Sequence, residues 1–239
     1  MFFHKKNQFL LLFYFTISIL VLFFYKDYGV HIEEKFHRMN GLYWLNYISQ
    51  VFNFEKIFLI TNLKMSEVNG FTLNSIDHFN KYGVIFDLPL ALFEIIFDIK
   101  KIENVYHVKH FSSFFVFLIS SFFFYKILVK RFKNFVLCII GTFLFISSPR
   151  IFGDSFLYKD VIFLSFFTIS LYFFLEVTRN LRIKDLIYFA IFSAISFTLR
   201  PFAIFLPIAF FVILLIKYFY TKNVYKYLKI YLFFLLFYF

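Results

Sequence analysis

Residues 111–129 read FSSFFVFLISSFFFYKILV, an apolar run interrupted by a single lysine. A helix needs about 20 mostly apolar residues to cross a bilayer, with roughly 17 as a practical lower limit. Because such runs recur along the chain, the sequence predicts an all-α, multi-pass transmembrane helix bundle forming one membrane domain over residues 1–239. The predicted spans are residues 9–25, 111–129, 133–149, 160–177, 185–199 and 201–217, with a partial span at 228–239.

The composition agrees with a membrane protein. Hydrophobic residues make up 62% of the chain, the mean hydropathy is +0.78, and charged residues make up only 16%. A soluble domain carries nearer about 25% charged residues. The single Cys138 lies within a predicted span, which excludes a disulfide framework and a cysteine-based metal site. No small-residue cleavage site follows the first apolar run, so we expect that run to be a retained anchor.

The positions of the charges predict the orientation. Lys and Arg next to membrane spans tend to stay in the cytoplasm, and basic clusters flank the spans at residues 5–6, 130–133, 179–184 and 217–229. If these clusters are inside, the N-terminus is cytoplasmic and nearly all of the 14 acidic residues lie outside. The net charge of +11 then faces anionic lipid headgroups at the inner (plasma) membrane. We therefore expect membrane lipid, and no nucleic acid, as a partner.

This orientation makes residues 26–110 one external loop with juxtamembrane helices. Its moderately apolar stretch 84–99 contains Asp87, Glu94 and Asp98. Three carboxylates disfavour a membrane crossing and favour an amphipathic helix lying at the outer interface. The sequence therefore predicts an external interfacial helix in the first loop.

Adjacent carboxylates open this loop. Glu33 and Glu34 follow the first span and precede the aromatic residues in 43–47, which could stack on a sugar. Glycosyl transfer requires such a carboxylate, because a base must take a proton from the acceptor hydroxyl. The alternative is structural: Asp27 caps a short interfacial helix whose first turn contains both glutamates for dipole reasons.

The short external loop at 148–160 contains four charged residues, Arg150, Asp154, Lys159 and Asp160. Charges at the mouth of a helix bundle are costly unless they are paired or used, so they are functional candidates. The alternative is that Arg150 pairs with Asp154 while Lys159 extends to the lipid headgroups.

Two further basic side chains lie at predicted helix ends on the external side. Arg200 precedes Pro201 in a turn, and His110 opens the second span. Either side chain could hold a lipid phosphate, and arginine could do so with two hydrogen bonds. The alternative is that both simply anchor helix ends.

His31, Glu34 and His37 are spaced at i, i+3 and i+6, which gives them a shared helix face that could bind a metal. That face is wide for a tight metal site, so no cofactor is predicted, while a divalent metal stays open. The sequence contains no glycine-rich phosphate loop, and any activated donor is therefore expected to be lipid-linked.

On these residues the chain resembles the N-terminal half of the GT-C glycosyltransferases. This integral-membrane class includes the protein O-mannosyltransferase and aminoarabinose transferase families, grouped as glycosyltransferase family 39. The resemblance covers residues 9–220 and has three parts: Glu33-Glu34 after the first span, His110 opening the second, and Ser148-Pro149-Arg150 leading to Asp160.

The resemblance implies transfer of a sugar from a polyprenyl-phosphate donor to an acceptor on the extracytoplasmic side. Glu34 would be the base, with Glu33 as the alternative, and Asp160 would position a substrate. The family usually has Asp-Glu where this chain has Glu-Glu, which leaves open which carboxylate is the base. The expected substrate-binding residues are His110, Arg150, Lys159, Arg200, Asp154 and Tyr158.

Members of this class continue through further spans, whereas this chain ends within an apolar run. We therefore expect a missing C-terminal part, which a partner chain would supply unless the protein is an inactive remnant. A transporter or flippase of lipid-linked sugars is the main rival function. Its substrate site would be expected near mid-membrane, whereas the charges here gather in external loops.

Overall fold

The computed structural model describes residues 2–68, 83–157, 160–221 and 224–238, and these residues contain helices and no β-strand. The all-α fold class is therefore confirmed. The helices are α1 (Phe2–Phe24), α2 (Ile32–Val51), α3 (Glu55–Ser66), α4 (Asp87–Ile96), α5 (Ile102–Phe132), α6 (Phe135–Ser147), α7 (Pro149–Asp154), α8 (Asp160–Asn180), α9 (Ile183–Leu199), a 3-10 helix (Pro201–Ile204), α10 (Phe205–Thr221) and α11 (Val224–Tyr238).

Among the described helices, four are long and apolar enough to cross a membrane, which supports a membrane protein. These stretches are Asn7–Phe24, Ile102–Phe132, Asp160–Asn180 and Pro201–Tyr220. The other predicted spans also fall on helices, but α6 has 13 residues and α9 has 17. Since about 17 residues is the practical lower limit for a crossing, the six complete spans stay a prediction.

Several helices end at a residue with left-handed backbone that is not glycine. Asn53, Asp98, Lys133 and Leu181 have φ values of 56°, 43°, 54° and 50° and follow α2, α4, α5 and α8 closely. A left-handed residue after the last turn redirects the chain and allows the next helix to start nearby. Asn134 then starts α6, because its side chain accepts hydrogen bonds from the backbone N–H groups of Val136 and Leu137.

The chain divides into two compact units. The first comprises Met1–Phe115 and Phe152–Val161, and the second comprises Val116–Ile151 and Ile162–Phe239. Helix α5 contributes its N-terminal part to the first unit and its C-terminal part to the second.

Helices α2, α3 and α4 form the part of the first unit that lies between α1 and α5 in sequence. The described residues of the predicted external loop thus include three complete helices and the start of α5, and α4 occupies the predicted interfacial segment. Their shared apolar core contains Met39, Leu42, Leu45, Val68 and Ala91. Glu34, Arg38, Leu42 and Leu45 are all buried on α2, and their three- to four-residue spacing places them on one helix face.

The second unit has an aromatic core. Phe189 of α9, Phe210 of α10 and Phe234 of α11 are fully buried and mutually in contact, with Phe189 and Phe234 stacked at a centroid distance of 5.0 Å. In the same unit Lys130 forms a salt bridge with Glu176, and its Nζ lies 4.1 Å from the ring centroid of Tyr172. One of the two acidic residues that the orientation places inside is therefore neutralised locally.

Candidate functional site

The first turn of α2 positions the two adjacent glutamates. His31 is the N-cap: its Nδ1 accepts a hydrogen bond from the backbone N–H of Glu33, while Glu34 Oε2 accepts one from the backbone N–H of His31 at 3.0 Å. This reciprocal pair is a capping box, with histidine in place of the usual serine or threonine. The structural alternative was right that both glutamates lie in a first turn, but the cap is His31 and not Asp27.

Glu34 is nevertheless more than a cap, because it is buried against a histidine. Its side chain is in contact with His110 of α5, whose Nε2 lies 3.1 Å from Glu34 Oε1 and 3.2 Å from Oε2. Glu34 is 1% exposed and His110 is fully buried. A buried charge is costly unless it is paired and hydrogen-bonded. The contact with His110 offsets this cost and joins the start of α2 to α5.

Hydrogen bonding fixes the tautomer of His110. Its Nδ1 lies 3.3 Å from the backbone carbonyl oxygen of Tyr25. A carbonyl oxygen can only accept, so Nδ1 carries the proton of this bond and Nε2 is left to share a second proton with Glu34. Lys109 Nζ donates to the Glu34 backbone oxygen at 3.2 Å. Lys109 and His110 of α5 therefore hold both the backbone and the side chain of Glu34.

Glu34 lines a cavity of about 230 Å³, which we name the acidic cavity. The side chains become more exposed from Glu34, which is buried, through Glu33 and Asp154 to Asp160. The described lining of the acidic cavity consists of His31, Glu33, Glu34, His37, Asp154, Leu157 and Asp160.

Stacked aromatic rings position the segment Phe152–Val161, which carries Asp154 and Asp160. Phe156 is fully buried, and its ring stacks on Tyr28 at 4.2 Å and on Phe114 at 4.9 Å between centroids. Such contacts add to the apolar area that each ring buries. They attach this segment to the chain after α1 and to α5, which brings residues far apart in sequence to one cavity.

A second set of buried charges joins α2 to α4 behind this cavity. Arg38 forms a two-pronged contact with Glu94: Nε donates to Oε2 at 3.1 Å and an Nη donates to Oε1 at 2.6 Å. Burial opposes the charge of Arg38, yet the hydrogen bonds and the charge of Glu94 prevail and raise its pKa. Lys64 of α3 lies 3.8 Å from the same carboxylate and donates to the Ile99 carbonyl oxygen.

His37 connects the acidic cavity to this buried network. Its Nδ1 lies 2.9 Å from Asp87 Oδ2, which also accepts a hydrogen bond from the Asn40 amide at 3.0 Å. Burial lowers the pKa of His37 despite the opposing effect of Asp87. A neutral imidazole that donates from Nδ1 to a carboxylate presents Nε2 as an acceptor. Burial therefore favours the neutral form of the His37 imidazole.

The structure places the predicted residues as follows. Glu33, Glu34, Asp154 and Asp160 line one cavity, and His110 contacts Glu34. Arg150 and Arg200 belong to the second unit, where Arg150 lies in the first turn of α7 and Arg200 links α9 to the 3-10 helix. Tyr158 and Lys159 lie outside the described residues.

The metal alternative gains no support from the geometry. His31, Glu34 and His37 all line the acidic cavity. Within the described part of the chain, however, no group of three or more His, Cys, Asp or Glu side chains is arranged to hold a metal ion.

Sequence reasoning missed the partners of α4. The carboxylates of this segment predict an amphipathic helix at the outer interface, but Asp87 and Glu94 are buried, at 3% and 1% exposure. The signal was present in the spacing: Asp87, Ala91 and Glu94 follow i, i+4 and i+7, which puts them on one helix face. The matching polar residues of α2, His37, Arg38 and Asn40, could not be paired with them from sequence.

Comparison of the chain with protein-family models, with curated proteins and with solved structures gives no match. The site therefore rests on its own chemistry: a buried carboxyl–imidazole pair, Glu34 and His110, of which Glu34 lines an acidic cavity. Among the described lining residues there is no lysine or arginine. The carboxylates in the described lining suit hydroxyl groups or cationic groups.

Proposed function

We propose that this chain is a membrane-embedded glycosyltransferase. It would move a sugar from a polyprenyl-phosphate-linked donor to an acceptor on the extracytoplasmic side of the plasma membrane, with its N-terminus in the cytoplasm. The observation that best supports this function is buried Glu34, which pairs with His110 while lining a cavity with Glu33, Asp154 and Asp160.

In this mechanism Glu34 is the general base. It takes the proton of the acceptor hydroxyl as the oxygen forms a bond to the anomeric carbon of the sugar. The bond between the anomeric carbon and the donor phosphate breaks, and its electron pair leaves with the phosphate. The proton ends on the Glu34–His110 pair, and Asp160 orients a substrate hydroxyl.

The two substrates of the proposed reaction differ in charge. The carboxylates of the acidic cavity suit the hydroxyl groups of the acceptor, whereas the donor phosphate requires basic side chains. The sequence candidates for binding the phosphate are Arg150, Lys159 and Arg200, and a basic side chain would stabilise the charge that develops as the phosphate departs.

The test is transfer of labelled sugar from polyprenyl-phosphate donors in membranes that contain the full chain. Glu34→Gln and Asp160→Asn are compared at equal abundance with Glu103→Gln, an exposed carboxylate of α5 outside the acidic cavity. Loss of a general base lowers turnover by about 100-fold or more, so we expect such a loss in Glu34→Gln and little change in Glu103→Gln. Equal turnover in all variants, or none from the unaltered chain, would contradict the proposed function.

A further inference from the structure

A second cavity in the first unit is larger and differs in chemistry. It has a volume of about 750 Å³ and lies among the end of α1, helix α4 and the start of α5. Of the described residues that line it, most are apolar, one is a lysine and none is acidic. We name it the apolar cavity.

Its polar and apolar walls are segregated along the helices. On α1, Leu22 belongs to the apolar stretch Asn7–Phe24, whereas Lys26 lies just beyond it. On α5, Asn104 and His107 line the cavity before the continuous apolar run that starts at Phe111. The residues that follow α1 lie close to the first turns of α5, because the Tyr25 ring contacts both His107 and Phe111, at centroid distances of 6.0 and 5.9 Å.

This arrangement matches the level of a membrane interface. Basic and aromatic side chains just past a spanning segment lie at the lipid headgroups, which places Lys26 and His107 there and Leu22 in the hydrocarbon. The neighbouring side chains Phe23 and Phe24 are exposed at 70% and 47%, so the apolar surface of α1 continues to the cavity.

We infer that the apolar cavity binds one anionic phospholipid. An acyl chain occupies the wall formed by Leu22, Leu90 and Phe111, and the phosphate lies near Lys26 and His107. A lysine at the interface attracts anionic lipid, and the bilayer supplies phospholipid in excess, which favours occupancy by mass action. This site is separate from the acidic cavity, and its test needs no sugar transfer.

The test measures lipid retained by the full chain, purified in detergent with equal amounts of phosphatidylglycerol and phosphatidylcholine, by native mass spectrometry. Leu90→Trp fills the apolar cavity. Leu92→Trp is the matched control, because Leu92 is an exposed residue of the same helix outside the lining. We expect one retained phosphatidylglycerol in the unaltered chain, an occupancy at least about tenfold lower in Leu90→Trp, and no change in Leu92→Trp.

Lys26→Gln tests the headgroup contact without disturbing the core, because Lys26 is exposed. We expect a preference of about fivefold for phosphatidylglycerol over phosphatidylcholine in the unaltered chain and no preference in this variant. Equal retention in the two tryptophan variants, or an unchanged preference in Lys26→Gln, would overturn the site. A polyprenyl phosphate that displaces phosphatidylglycerol at equal concentration would overturn its assignment to phospholipid.

Discussion

Glu34 illustrates how one side chain can serve local structure and a site at once. Its Oε2 completes the N-terminal cap of α2, and the same carboxyl group contacts His110 of α5. The cap fixes the direction of the side chain, since the carboxyl group must reach back to the His31 backbone N–H. In the proposed function, a base held in this way would need little reorganisation before it accepts a proton.

The Arg38–Glu94 pair is a residue-scale feature that stabilises the fold. Both side chains are buried, so Glu94→Gln would remove the buried counter-charge of the guanidinium and leave only the exposed carboxylate of Glu67, 3.5 Å away. Removing one partner of a buried pair costs about 3–5 kcal/mol. We expect a loss of this size in the free energy of unfolding, measured in detergent through the fluorescence of Trp44, the single tryptophan of the chain.

Replacing both partners tests the cause of that loss. Arg38→Met with Glu94→Leu removes both charges of the pair and keeps apolar volume, and such replacements are often close to neutral. Lys64 loses its nearby carboxylate in this variant but keeps its hydrogen bond to the Ile99 carbonyl oxygen. We therefore expect the double variant to recover most of the stability. Glu55→Gln, at an exposed carboxylate of α3, is the control and should have little effect. A double variant as unstable as Glu94→Gln would contradict the role of the unpaired charge.

At the scale of elements, the close approach of α2 and α4 depends on Gly41. A Cβ atom at this position would lie 2.4 Å from the backbone oxygen of Asp87, far inside contact distance. Because the obstacle is backbone, the two helices would have to move apart. That movement would disturb the hydrogen bonds of Asp87 with His37 and Asn40.

Gly41→Ala is therefore expected to destabilise the protein, although alanine favours a helix more than glycine does. Overpacking of this kind costs about 1–3 kcal/mol, visible as a lower unfolding temperature in detergent. Gly29→Ala is the matched control, because nothing lies within 4 Å of its added Cβ. Unchanged stability in Gly41→Ala would show that α2 and α4 tolerate a wider separation.

At the scale of the whole molecule, the charge distribution predicts which ends of the spanning helices face the cytoplasm. Helix α5 is the clearest case: its C-terminal turn contains Lys130 and Arg131, and its first turn contains Glu103. Lys and Arg beside a span favour the cytoplasmic side. The start of α5, and with it the acidic cavity, is then extracytoplasmic.

Cysteine labelling tests this orientation. After Cys138→Ser removes the single native cysteine, Lys101→Cys and Arg131→Cys place exposed thiols just before α5 and near its end. We expect a membrane-impermeant maleimide to label Lys101→Cys in intact cells and Arg131→Cys only after permeabilisation. The reverse pattern would invert the orientation and put the acidic cavity in the cytoplasm.

Much of the helical architecture was predictable, because the length and composition of each apolar run predict a helix without reference to the rest of the chain. Each predicted span falls on a helix, and the segment predicted to be interfacial forms α4. The carboxylates of the site were also identifiable, since charges beside spans are costly and conspicuous. The roles of Asp87 and Glu94 were not, because whether a carboxylate faces water or an arginine depends on a partner distant in sequence.

The sequence by itself determined that the chain is helical, rich in membrane-length apolar segments and asymmetric in charge. These properties follow from local composition and from the length of each run. Only the tertiary structure decided that Glu33, Glu34, Asp154 and Asp160 share a cavity, that His110 pairs with Glu34, and that Arg38 neutralises Glu94. The physical reason is that burial and pairing are properties of contacts between helices, and those contacts exist only once the helices have packed.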